Sequence, residues 1–196
     1  MGLIGQVGLV GQVGLVGAGQ AGLVGQSENV VIESLERAPA IVVPLVRQAP
    51  KETLTRRPSP RKWSIHEHAC HLADVQPLMW HRLELILSDE EPMIRSYDPG
   101  RDDPDDRLLQ IDLTDALERY VRDRARLVER LRQLDESDWR KTARHDEYNS
   151  YSIHAMFRHL ALHDFFHAYR IEELLLRLDW PPPLDLADDD DDHRER

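Results

Sequence analysis

Cysteine is nearly absent: Cys70 stands alone in a chain of 196 residues. One thiol excludes an intramolecular disulfide framework and any zinc or iron–sulfur site built from several cysteines, so a reducing, cytoplasmic setting is expected. Glycine is just as scarce over the body of the chain, because nine of the ten glycines precede residue 28 and the tenth is Gly100. No Gly-rich phosphate loop and no G-x-S-x-G nucleophile turn can therefore be built there. An excess of basic residues is also missing, the net charge being −11. Two short stretches, 98–107 and 185–196, carry −8 of that charge, so the rest is close to neutral. Such a body offers no large surface to neutralise phosphates, and no nucleic-acid partner is expected.

The two ends read as tails. Residues 1–27 are uncharged and repeat GLIGQV, GLVGQV and GLVGAG. Without proline this is not collagen, and Gln6, Gln12, Gln20 and Gln26 together with the many glycines argue against a membrane span or a secretory signal. The expectation is a disordered, low-complexity extension and no membrane association. Residues 181–196, a Pro-Pro-Pro step followed by DLADDDDDHRER, read as a second, acidic disordered tail. One domain, 28–180, remains.

What that domain does contain is helix. A first helix is expected over Ser27 to Gln48, bent at Pro39 and Pro44. A second opens at a capping box, Ser64-Ile65-His66-Glu67, and continues through Ile65, Ala69, Leu72, Val75, Met79, Leu83 and Ile86, with Pro77 as a bend. A third starts near Asp112 or Thr114, and a fourth follows Ser152 and runs to about Leu178. No run of alternating strand residues is present. Four amphipathic helices of this kind define an all-α fold, a four-helix bundle with a long connection between helices two and three. That connection can cross the bundle or hang over one end.

Ten histidines are the chain's conspicuous surplus. His159, His163 and His167 are spaced four apart on helix four, so they share one broad side. A pair at i and i+4 can grip a divalent cation, and His71, on the flank of the helix-two stripe, can be brought to His163 and His167 by packing. Asp164 falls near the core side of helix four, placed either to orient a histidine or to accept a proton. The spacing alone leaves two readings open, a metal site with positions free for substrate and a polar seam of hydrogen-bonded imidazoles. His66, His68, His81 and His154 read as ordinary helix residues, and Cys70 as a small buried filler. His66-Glu67-His68-Ala69-Cys70 is not HExxH, since Cys70 stands where the second histidine belongs. No glutamate lies three residues before a histidine, which excludes the Glu-x-x-His pairs of di-iron bundles.

Two stretches, RRPSPRKWSIHEHACHLADVQ and EYNSYSIHAMFRHLALHDFFHAYRIEELL, resemble the second-helix entry and the last helix of the DinB-like, YfiT-type superfamily. The likeness runs from about Glu28 to Leu178. It implies an up-down-down-up four-helix bundle, often a homodimer, with a divalent metal, nickel or zinc before iron, held by residues matching His71, His163 and His167. Gln76 stands where many relatives have Glu, and His68 replaces a usual aliphatic residue. The activities implied are transfer or isomerisation with a small thiol cosubstrate, set slightly ahead of metal-dependent hydrolysis, on a small-molecule substrate. The competing expectation is a non-catalytic dimeric metal-binding or stress-response interaction protein.

Overall fold

The computed structural model describes residues 18–177 except 61, 89, 103–105 and 150, and for residues 18–26, 100 and 101 it describes backbone alone. In chain order the elements are α1 (Ala18–Gln48), α2 (Lys51–Leu54), α3 (Ile65–Ser88), β1 (Met93–Ile94) and α4 (Pro99–Asp102), then a 3-10 turn (Arg107–Gln110). They continue as α5 (Leu113–Arg132), α6 (Glu136–Arg140), β2 (Thr142–His145), β3 (Tyr151–Ser152) and α7 (Ile153–Leu175). The long helices α1, α3, α5 and α7 are the four expected from the apolar periodicity.

Local chemistry sets where three of them begin. Ser64 Oγ accepts from Glu67 N at 3.3 Å and Glu67 Oε2 accepts from Ser64 N at 2.9 Å, so the capping box forms as read. Asp112 accepts from Asp115 N at 2.9 Å and caps α5, and Ser152 accepts from Ala155 N at 3.1 Å and caps α7. The first helix differs from expectation. It starts at Ala18, inside the segment 1–27 assigned to the tail, because Ala18, Gln20, Ala21 and Leu23 supply enough helix formers to continue a helix anchored downstream. The remainder of that tail, residues 1–17, and the acidic tail lie outside the described residues.

Core packing fixes the topology. One cluster joins Val31 and Leu35 of α1 to Leu83 and Ile86 of α3, Leu127 and Leu131 of α5, and Ile153 and Phe157 of α7. A second joins Val42 and Val46 to Ile65 and Ala69, Ala116 and Tyr120, and Ile171 and Leu174. Early α1 thus meets late α3, late α5 and early α7 at one end, here called the lower, and the reverse holds at the upper end. The directions are up, down, down, up. Around the bundle α1 packs on α7 and α5, and α3 packs on the same two, so consecutive α1 and α3 stand mainly across the diagonal.

The long connection does cross the bundle. It leaves α3 at the lower end, where β1 pairs parallel with β2, and reaches the upper end at the 3-10 turn. There His66 Nε2 donates to the Leu108 carbonyl at 3.1 Å, and Arg107 meets Asp74 at 2.6 Å. The small sheet, ordered β1-β2-β3 with β2 and β3 antiparallel, is a feature the sequence reading lacks. Strands of two to four residues are too short to show a period-two pattern. Among the described residues no helix is long and apolar enough to cross a membrane.

Proline marks a polar contact inside this apolar frame. Helix α1 runs through Pro39, which has no N–H to give the Leu35 carbonyl one turn earlier. Arg124 Nη1, from α5, donates to that carbonyl at 3.1 Å. A buried acceptor that the helix cannot satisfy is thereby satisfied by a neighbouring one.

Candidate metal centre

The capped start of α3 puts His68 and His71 one turn apart on a single face, and α7 stacks His163 and His167 in the same way. Because α3 packs against α7, the two pairs meet. His71, His163 and His167 each offer a nitrogen, and these atoms lie within 4.8 Å of one another. His163 Nε2 is 3.0 Å from His71 Nε2 and 3.0 Å from His167 Nε2. His71 and His167 are buried, while His163 keeps about a quarter of its side chain exposed, at 25%.

Burial keeps His68, His71 and His167 neutral. Desolvation pushes His71 down to about 3 and His68 down to about 4, with His163 adding to the effect at His71 and Arg170 at His68. It also lowers His167, with His163 and His71 next among the causes. Neutral imidazoles are the form that ligates metal, so no proton has to be expelled near neutral pH.

The groups behind the rings fit a cation as well. If all three Nε2 lone pairs face one ion, each ring carries its proton on Nδ1 and needs an acceptor there. His167 Nδ1 lies 2.7 Å from His68 Nδ1. His163 Nδ1 lies 3.9 Å from Asp164 Oδ1, and both atoms are buried without a hydrogen-bond partner among the described residues. His71 Nδ1 is likewise buried and unpartnered. Trp63 roofs the cluster, its ring near-parallel to His167 at 5.8 Å and tilted against His71 at 4.9 Å.

Asp164 is fully buried behind His163. Its Oδ2 accepts from Arg124 Nη1 and, at 3.3 Å, from Tyr120 Oη. Burial alone would raise the carboxyl's pKa, but the Arg124 charge and the His163 contact outweigh it and hold the group lowered. An anion pinned in this way orients a ring; it has no free path to a molecule at the Nε2 side. Arg124 Nε also donates to Gln76 Oε1 at 2.9 Å. Gln76 is a neutral acceptor for the buried guanidinium.

Beside the cluster, towards the lower end, opens a cleft of about 210 Å³. His71 and His163 stand at one end of it, Val75, Met79 and Leu160 form its apolar walls, and Tyr97 and Pro99 of the long connection close one side. His159 reaches this cleft instead of the three-ring cluster. Cys70 is fully buried, and desolvation followed by the Asp74 charge pushes its thiol up to about 12, so it is inert.

Sequence reasoning missed His68 and Arg124. Both had a signal. His68 is three residues before His71, on the same helical face, and Arg124 occupies a core position in the series Tyr120, Arg124, Leu127, Leu131.

Fold and cluster together define a class, a four-helix bundle with three imidazoles facing one another between α3 and α7. Residues 34–171, well over half of the chain, match the model of the DinB superfamily, and the chain belongs to that superfamily. A relative from Oceanobacillus iheyensis, named "Putative metal-dependent hydrolase OB0782", is 27% identical over 161 residues, covering 80% of this chain and 92% of its own length. YfiT from Bacillus subtilis, described as a probable metal-dependent hydrolase with an unusual four-helix bundle topology, superposes with a TM-score of 0.69. It is 21% identical, over 87% of this chain and 93% of that one, which carries the fold.

Proposed function

We propose that this protein is a metal-dependent enzyme that holds one divalent cation on His71, His163 and His167 and acts on a small molecule in the adjoining cleft. The observation that carries the reading is the convergence of one ring nitrogen each from His71, His163 and His167 within 4.8 Å at the end of an open cleft. A structural metal site closes its coordination shell with four protein ligands; three leave room for a reacting group. Imidazole donors suit nickel, zinc and iron(II). When bound, such a cation supplies Lewis acidity towards a water, a thiol or a carbonyl.

The chain's own residues do the rest. His68 accepts the Nδ1 proton of His167, Asp164 stands as an anion behind His163, Arg124 and Tyr120 hold Asp164 ionised, and Trp63 shields the cluster from water. Hydrolysis is the leading reaction, in keeping with the names of the two relatives. Transfer to a small thiol is the second reading, and the thiol must come from outside because Cys70 is buried. We also propose that two copies pair through α7, whose outer face exposes Leu162, Phe165, Phe166 and Tyr169.

Metal content per chain, measured on protein purified without an affinity tag, tests the site. Wild type should hold close to one divalent ion and His163→Ala/His167→Ala none. A wild type that takes up no nickel, zinc or iron(II) on incubation overturns the proposal.

A further inference from the structure

The bundle treats its inward-leaning arginines consistently. Arg57 meets Glu67, Arg107 and Arg119 meet Asp74, Arg124 meets Asp164, and Arg130 meets Glu84. Arg82 breaks the pattern. It sits on α3 eleven residues after His71, which is three helical turns and so the same face, and it lines the same cleft. No carboxylate pairs with it among the described residues. Its Nη2 donates to the Arg95 carbonyl at 2.6 Å, which anchors the side chain, while Nε and Nη1 have no partner there. Asp146 is the acid acting on it, and that carboxylate is already tied to Ser96 N and Oγ at 2.8 and 3.1 Å. Burial lowers the guanidinium's pKa, and Tyr151 and Asp146 offset only part of that, the mark of a cation held partly out of water and incompletely compensated.

Between Arg82 and the histidines the cleft wall is apolar, from Val75, Met79, Met156 and Leu160. Charge at one end, hydrocarbon along the middle and the imidazole cluster at the other end describe the complement of one kind of molecule. We propose that Arg82 is the recognition residue of this site, and that the substrate is a small carboxylate whose anionic end pairs with the guanidinium edge that the Arg95 carbonyl leaves free and whose apolar body reaches the reacting end at His71 and His163. The Arg95 carbonyl takes one N–H of Nη2; the other N–H of Nη2 lies parallel to that of Nε or Nη1 and forms with it an edge that matches a carboxylate, and pairing there restores the partner that the fold withholds. The inference rests on the metal-dependent reading and adds to it the class of substrate.

The probes are hexanoate and its neutral counterpart hexanamide, titrated calorimetrically into zinc-loaded and metal-free protein. Wild type should prefer hexanoate, and Arg82→Gln should weaken hexanoate binding by about tenfold or more while leaving hexanamide binding and zinc content unchanged. Arg82→Lys, which keeps the charge but loses the planar fork, should fall between the two. Melting curves of both variants verify that they fold. Equal affinity of wild type for the two probes overturns the assignment. So does hexanoate binding that survives Arg82→Gln but disappears with the zinc, since the anion is then held by the metal. A wild type that fails to hold zinc yet prefers hexanoate through Arg82 would overturn the metal reading and leave the anion site standing.

Discussion

His68 shows how one side chain can govern a site it does not enter. Its Nδ1 is 2.7 Å from His167 Nδ1, so a proton shared there keeps the His167 Nε2 lone pair turned to the cluster. With His68→Leu the His167 N–H would be buried without an acceptor, and zinc affinity, read by competition with a chromophoric chelator, should weaken by about 10- to 100-fold. His68→Gln offers a carbonyl oxygen at similar reach and should recover most of it. Glu67, one residue earlier, has a separate duty. Burial alone would push its carboxyl up, but donors from Arg57 and Ser64 more than offset that and hold it below the ordinary value of 4.5. A lowered folded-state value means that the stabilisation is complete above the unfolded value, about 4.5, and drains away as pH falls through the folded one. Glu67→Gln should therefore lose about 1–2 kcal/mol at neutral pH and show a flatter urea-midpoint profile than wild type once the pH drops below about 4.5.

At the scale of elements, all four long helices, α1, α3, α5 and α7, are joined by a single guanidinium. Arg124 donates to the Leu35 carbonyl left vacant by Pro39, to Gln76 and to Asp164. Arg124→Met removes one partner of a buried pair and should destabilise the bundle by about 3–5 kcal/mol. Pro39→Ala returns a helical N–H to Leu35, so in that background the same substitution should be milder by about 1 kcal/mol, a coupling that a double-mutant cycle in denaturant measures. Helix boundaries were legible because caps are local: Ser64 with Glu67, Asp112 and Ser152 announce their helices within four residues. The short strands, the crossing of the long connection and the cleft wall from Tyr97 and Pro99 were not, because each exists only through partners far along the chain.

For the whole molecule, the proposed pairing of two copies rests on the outer face of α7. Arg158, Leu162, Phe165, Phe166, Tyr169 and Glu173 share one side of the helix. Two such helices laid antiparallel about a twofold axis set Leu162 against the partner's Tyr169, Phe165 against the partner's Phe166, and Arg158 against the partner's Glu173, a self-complementary arrangement. Sedimentation should give a dimer for wild type and a folded monomer for Phe166→Glu/Tyr169→Glu; a wild type that stays monomeric at high concentration removes this pairing. The sequence by itself determined the four helices, the apolar stripes that make them a bundle and the His-x-x-x-His pair of α7, since each depends on neighbours three or four residues away. Only the tertiary structure decided that His71 faces His163, that His68 backs His167, that Arg124 fills the gap left by Pro39, and that Arg82 is the inward arginine without a carboxylate among the described residues. Those relations join residues about 10 to 100 positions apart, and no periodic pattern encodes a distance across a bundle.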